Sequence, residues 1–130
     1  MKQQKNKKLL FVYGSLKQGF CNHNILDKRF CKKIGDAKTV KKFGMFIDDF
    51  GNYPYLIDEP FSNINGELYE IYTQELLDKL DEFEGTPDYY TRELIEVESC
   101  LGMCLAYVYI KHNVKIPKEH SPLVVWREDE

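Results

Sequence analysis

Apolar residues recur along the chain in short runs bounded by Gly, Asn, Asp or Pro, the spacing of strands rather than of long helices. The runs are KLLFVYG (8–14), TVKKFGMFI (39–47), YPYLI (53–57), INGELYEIY (64–72), TRELIEVE (91–98) and MCLAYVYI (103–110). Two of them alternate cleanly. In the fifth, Glu93, Ile95 and Val97 share one face and Leu94, Glu96 and Glu98 the other; in the sixth, Cys104, Ala106, Val108 and Ile110 lie opposite Leu105, Tyr107 and Tyr109. The SCLG link at 99–102 predicts a hairpin turn between these two runs.

One segment carries a helical period. TQELLDKLDEFEG has Thr73 placed to cap its start and Gly85 placed to end it. At 100° per residue, Leu76, Leu80, Phe83 and Leu77 fall within an arc of about 120°, the stripe expected to face the core. A shorter helix is expected in NHNILDKRF (22–30). Strands that mostly follow one another without helical crossovers predict an α+β fold with an antiparallel or mixed sheet curled toward a barrel.

Composition narrows the setting. At 130 residues and 43% hydrophobic, the chain suits a single domain over 1–130, with the cationic residues 1–7 as a flexible tail. A formal charge of −3 and no basic block with interleaved aromatics argue against a nucleic-acid partner. LLFVYG is too short for a signal core or a membrane span, so no membrane partner and a cytoplasmic location are expected. Cys21, Cys31, Cys100 and Cys104 are then expected as free thiols. Cys21, His23 and Cys31 lack the paired CxxC spacing of structural zinc sites, so no metal is predicted. A monomer is expected, because nothing marks an exposed apolar helix face of dimer size.

One carboxylate stands apart on the helical wheel. With Leu76 at zero, Glu84 falls at about 80°, between Leu80 and Leu77, whereas Asp78, Glu82 and Glu75 face solvent and Asp81, at about 140°, lies on the border. Those three or four read as an ordinary wet face. A carboxylate on a core-facing stripe is costly unless paired or partly neutral, and desolvation moves its pKa toward the range of a general base. Against this, helix ends fray, and Glu84 could turn outward or pair with Arg92; the wheel by itself weighs toward that alternative.

The second candidate element is FVYGSLKQG, where an apolar strand breaks at Gly14 and again at Gly19. Such a turn can direct backbone N–H groups at a carboxylate or a developing oxyanion, but it matches neither the phosphate-binding loop nor the GxSxG elbow.

Together these stretches resemble a family. YGSLKQG after the first strand, Asn22 and His23, Tyr53 and Pro54, INGELYEI at 64–71, and LDEFEG followed by YYTRE are similar to the γ-glutamylcyclotransferase-like (AIG2-like) superfamily, most closely its short γ-glutamylamine cyclotransferase branch. The resemblance implies a small mixed, mostly antiparallel β-barrel flanked by helices, with a cavity near the YGSL loop. It implies an enzyme that cleaves a γ-glutamyl amide by cyclisation to 5-oxoproline and free amine, with no metal or cofactor and a small molecule as its partner. Glu84 maps onto the family's acid/base. The backbone of Tyr13, Gly14, Ser15 and Leu16 maps onto the turn that holds the substrate's α-carboxylate and amine. Tyr53, Pro54, Tyr90 and Arg92 are candidate pocket walls, with Tyr89 beside them and Trp126 a candidate cover for part of the barrel. The rival expectation is a non-catalytic module that binds a γ-glutamyl compound or another small molecule on the same fold.

Overall fold

Strands β1 (Lys8–Val12), β2 (Cys31–Thr39), β5 (Asn65–Ile71), β6 (Thr91–Ser99) and β7 (Gly102–Ile110) hydrogen-bond in the order β1-β5-β2-β6-β7. A short parallel pairing of Leu10 with Tyr107 closes the round, and the remaining pairs in it are antiparallel. Strands β3 (Phe43–Ile47) and β4 (Pro54–Ser62) form a separate antiparallel ribbon. This architecture is seen in a computed structural model that describes residues 8–14, 16–17, 23–47, 54–86, 90–112, 114 and 122–125. The α+β class and the mostly antiparallel barrel agree with the sequence pattern.

Side-chain alternation gives the barrel two apolar surfaces. Leu9, Phe11 and Tyr13 point inward with Leu68, Val97, Ala106, Val108 and Ile110, and Met45 and Leu56 of the ribbon complete this core. The opposite faces of β1, β5 and β7 present Leu10, Val12, Tyr69, Ile71 and Tyr109 to the outside, where α1 (Gln74–Glu84) covers them with Leu76 and Leu80. Each of these leucines, fully buried, contributes roughly 2 kcal/mol to that docking. The β6–β7 hairpin follows its predicted register: Ser99 pairs with Gly102, and Gly102 takes φ 87°, closing a two-residue turn. Its outer apolar side chains, Leu94, Met103 and Leu105, stay exposed.

Four expectations need correction. TVKKFGMFI is not one strand, because β2 ends at Thr39 and β3 begins at Phe43. Most of β2 escaped the apolar pattern: only Cys31, Ala37 and Thr39 are buried in it, and a bulge between Lys33 and Gly35 breaks its period. NHNILDKRF forms only a 3-10 turn at His23–Ile25. The Asp27 side chain there accepts the Arg29 N–H at 2.9 Å and the Asp27 carbonyl accepts the Phe30 N–H, a local turn that competes with helix. Finally, Phe83 is 43% exposed, since the buried face of α1 is centred on Leu76, Leu80 and Leu77 and leaves Phe83 at its margin. Residues 1–7, the expected tail, lie outside the described residues.

Gly66 shows how closely β1 and β5 approach. A Cβ placed on it would lie 2.3 Å from the Val12 carbonyl oxygen and 2.7 Å from the Phe11 ring. Gly66→Ala is therefore expected to destabilise the barrel by about 1–3 kcal/mol, toward the upper end because backbone must move, as read by urea unfolding.

Candidate active site

Helix α1 ends where the sequence places its stop. The Thr73 hydroxyl accepts the Leu76 N–H at 3.1 Å, and Gly85, at φ 70° and ψ 36°, closes the last turn in the left-handed region. The helix is therefore intact to its last residue, Glu84. The outward swing that a frayed end would allow does not occur: Glu84 is half-buried. Among the described residues nothing forms a hydrogen bond or ion pair with its carboxylate. Burial alone pushes its pKa from an ordinary 4.5 up to about 7.

Two tyrosines bound this carboxylate. Tyr13 closes β1 at the barrel mouth, and its hydroxyl donates to the Tyr109 carbonyl at 2.9 Å. Burial raises its pKa well above the phenol range, and the nearby Tyr90 and Glu84 raise it further. Tyr109 is raised as well, first by burial, then by its bond to Asp81, with Glu84 adding to the effect. Both phenols stay neutral at pH 7, leaving Glu84 as the group that changes protonation there.

The YGSL turn lies beside them. The Lys17 N–H donates to the Gly14 carbonyl at 3.0 Å, turning the chain immediately after Tyr13, and Leu16 is buried in the layer under α1. Gly14 packs against Pro54: a Cβ there would sit 3.1 Å from the proline Cγ. Two motifs distant in sequence thus meet at one rim. Tyr90 packs with Phe46, Tyr55 and Ile57 of the ribbon. Ser15, Tyr53, Tyr89, Asn22 and Trp126 lie outside the described residues. A cleft of about 320 Å³ on the outer wall, lined by Leu26, Cys31, Tyr69 and Tyr72 among others, touches none of Glu84, Tyr13, Pro54 or Arg92. It lies beside the start of α1, and the candidate site is defined instead by the convergence at Glu84.

Arg92 corrects one expectation. Its Nε lies 3.3 Å from Asp81 Oδ1, so its partner is Asp81 rather than Glu84. The Tyr109 hydroxyl donates to the same Asp81 oxygen at 2.7 Å, and the guanidinium lies 4.6 Å from the centre of the Tyr107 ring. Asp81, placed on the border of the wet face, is half-buried and joins α1 to the wall. A signal for this pairing existed. A two-residue turn between Ser99 and Gly102 sets Arg92 directly opposite Tyr109, on the face that α1 covers.

The chain has counterparts among known proteins. The profile of the gamma-glutamyl cyclotransferase, AIG2-like family matches residues 10–128. The chain belongs to that family. It is 40% identical over 89 residues to a protein of Methanocaldococcus jannaschii provisionally named a gamma-glutamylcyclotransferase, a match covering 68% of this chain and 70% of that one. It is 37% identical over 99 residues to gamma-glutamylaminecyclotransferase B of Danio rerio, covering 72% of this chain but only 51% of the fish protein. The crystal structure of an AIG2-like protein of Mus musculus superposes with a TM-score of 0.83 at 28% identity, over 93% of this chain and 88% of that one.

The raised Glu84 pKa has a consequence for stability. Between the ordinary value of 4.5 and about 7, the folded state binds the proton and the unfolded state does not, so stability falls as pH rises through this window. The loss is on the order of 2 to 3 kcal/mol. Glu84→Gln, which cannot ionise, is expected to melt above the wild type at pH 8 and to lose that advantage by pH 4.5, as followed by thermal unfolding.

Proposed function

We propose that the protein is a γ-glutamylamine cyclotransferase, cleaving a γ-glutamyl amide to 5-oxoproline and free amine, with Glu84 as general acid/base. The observation that carries this reading is the half-buried Glu84 carboxylate, without a hydrogen-bond or ion-pair partner among the described residues, beside Tyr13, where the YGSL turn begins, in a chain of this family. A group with a pKa near 7 can both take and return a proton at neutral pH. The choice of an amine leaving group draws on the gamma-glutamylaminecyclotransferases among its relatives.

The chemistry suits a sparse site. Nucleophile and electrophile are one molecule, so ring closure needs positioning and proton transfer rather than an activated protein side chain. Glu84 removes a proton from the substrate's α-ammonium, and the freed amine attacks the γ-carbonyl carbon. The backbone N–H groups of Gly14 to Leu16 are the candidate donors for the resulting oxyanion. The ring nitrogen then loses a second proton, and the bond from the γ-carbon to the departing nitrogen breaks. In sum, two protons pass from the α-nitrogen to the leaving amine, and no water is consumed. Pro54 and Tyr90 would form part of the pocket wall.

The test is mass-spectrometric detection of 5-oxoproline from a panel of γ-glutamyl amines, including the ε-lysine isopeptide, with EDTA present. Release is expected for at least one member, rising with pH through about 7 as Glu84 ionises. Glu84→Gln should lower it by about 100-fold or more. Glu82→Gln, on the exposed face, should leave it nearly unchanged. Equal loss in both variants would remove Glu84 from its role. No release by the folded protein from any panel member would favour the binding-module reading.

A further inference from the structure

The last turn of α1 is electrostatically unusual. Asp81, Glu82 and Glu84 crowd the helix terminus whose dipole is negative, and that turn contains no basic residue. Like charges at this end disfavour one another and the helix. The compensating cation comes from another element: Arg92 of β6 lies against Asp81. Its guanidinium is also held over the Tyr107 ring, and its Nη1 is buried and has no partner among the described residues. Leaving one buried nitrogen of a half-buried cation without a protein partner carries a cost. That cost goes with an orientation that spends the Nε edge on Asp81.

A continuous chain of contacts results. Arg92 Nε meets Asp81 Oδ1 at 3.3 Å, the Tyr109 hydroxyl meets the same oxygen at 2.7 Å, and the Tyr109 carbonyl receives the Tyr13 hydroxyl at 2.9 Å. The chain begins on β6 and ends at the YGSL turn. Glu84 lies one helical turn beyond Asp81 and close to both tyrosines. We propose that Arg92, acting through Asp81 and Tyr109, is a positioning residue that clamps the last turn of α1 to the barrel mouth and keeps the Glu84 carboxylate turned toward Tyr13. Its importance for turnover rests on the cyclotransferase reading above; the geometric claim does not.

Among the described residues, Tyr13 beyond the end of β1 and Tyr109 on β7 lie near enough to Glu84 to feel its charge, Tyr90 ahead of β6 lies near Tyr13, and Asp81 on α1 and Arg92 on β6 lie near Tyr109. Burial is the one cause that sets the Glu84 midpoint, so the clamp acts by holding the carboxylate out of water. A lysine at position 92 would keep the charge but lose both the Nε edge and the planar stack on Tyr107.

The experiment is carbon-detected NMR titration of the Glu84 carboxyl in the wild type, Tyr109→Phe, Arg92→Met and Arg92→Lys. Tyr109→Phe keeps the ring and removes only the hydroxyl, so it serves even where an Arg92 variant unfolds. The wild-type midpoint is expected at about 7. In Tyr109→Phe and Arg92→Met it should fall by about a unit or more as the carboxylate swings into water, with Arg92→Lys rescuing only part of the shift. With an active substrate in hand, kcat at pH 7 should drop about tenfold in the same variants while KM stays within about threefold. A midpoint that is unmoved or raised in folded Tyr109→Phe overturns the clamp. A rise in KM at constant kcat overturns it too, making Arg92 a binding group. The titration needs no turnover, so a wild type that releases no 5-oxoproline sinks the functional reading while the clamp is still decided by the midpoints.

Discussion

The Asp81 carboxylate is the joint on which the site depends. One of its oxygens takes the Tyr109 hydroxyl from the barrel wall and lies beside Arg92 from the neighbouring strand, fixing the rotation of α1 about its own axis. Apolar burial is non-directional, so Leu76 and Leu80 by themselves specify that rotation less sharply than a hydrogen bond does. With Asp81 fixed, Glu84 is committed to the barrel mouth, and the left-handed Gly85 lets the chain leave the helix directly after it.

Such commitment matters because the resting carboxylate is unsupported. It gains no hydrogen bond or counter-ion from the described residues, and burial alone sets its midpoint near neutrality. A glutamate on a mobile end would escape into water and return to ordinary acidity. The protein instead accepts a carboxylate that destabilises the fold above neutral pH, a cost that the proposed proton transfer would explain. The two phenols beside it are neutral: Tyr13 and Tyr109 do not compete for the proton.

The same strands serve as container and as helix platform. On β1 and β7, inward residues fill the barrel while alternate residues, Leu10, Val12 and Tyr109, carry α1. Tyr13, directly after β1, is the next inward side chain and spans the two layers, with its ring in the core and its hydroxyl on the Tyr109 backbone. The turn proposed to hold the substrate and the helix carrying Glu84 are thus fixed to one rigid wall.

The sequence alone determined what depends on local periodicity and local backbone need. The caps at Thr73 and Gly85, the faces of β6 and β7, the two-residue hairpin and the place of Glu84 on the buried side of α1 follow from period-3.6 and period-2 patterns and from residues suited to turns. The family motifs, found in order along the chain, carried the functional expectation. What local pattern did not reveal was decided by long-range pairing. β2 is held by β5 and β6 rather than by its own apolar content, and Phe83 is exposed because the wall of the barrel, not the wheel, sets the contact line. Tertiary structure also gave Arg92 to Asp81 and left Glu84 without a partner among the described residues, since both outcomes depend on how a helix is rotated against the sheet.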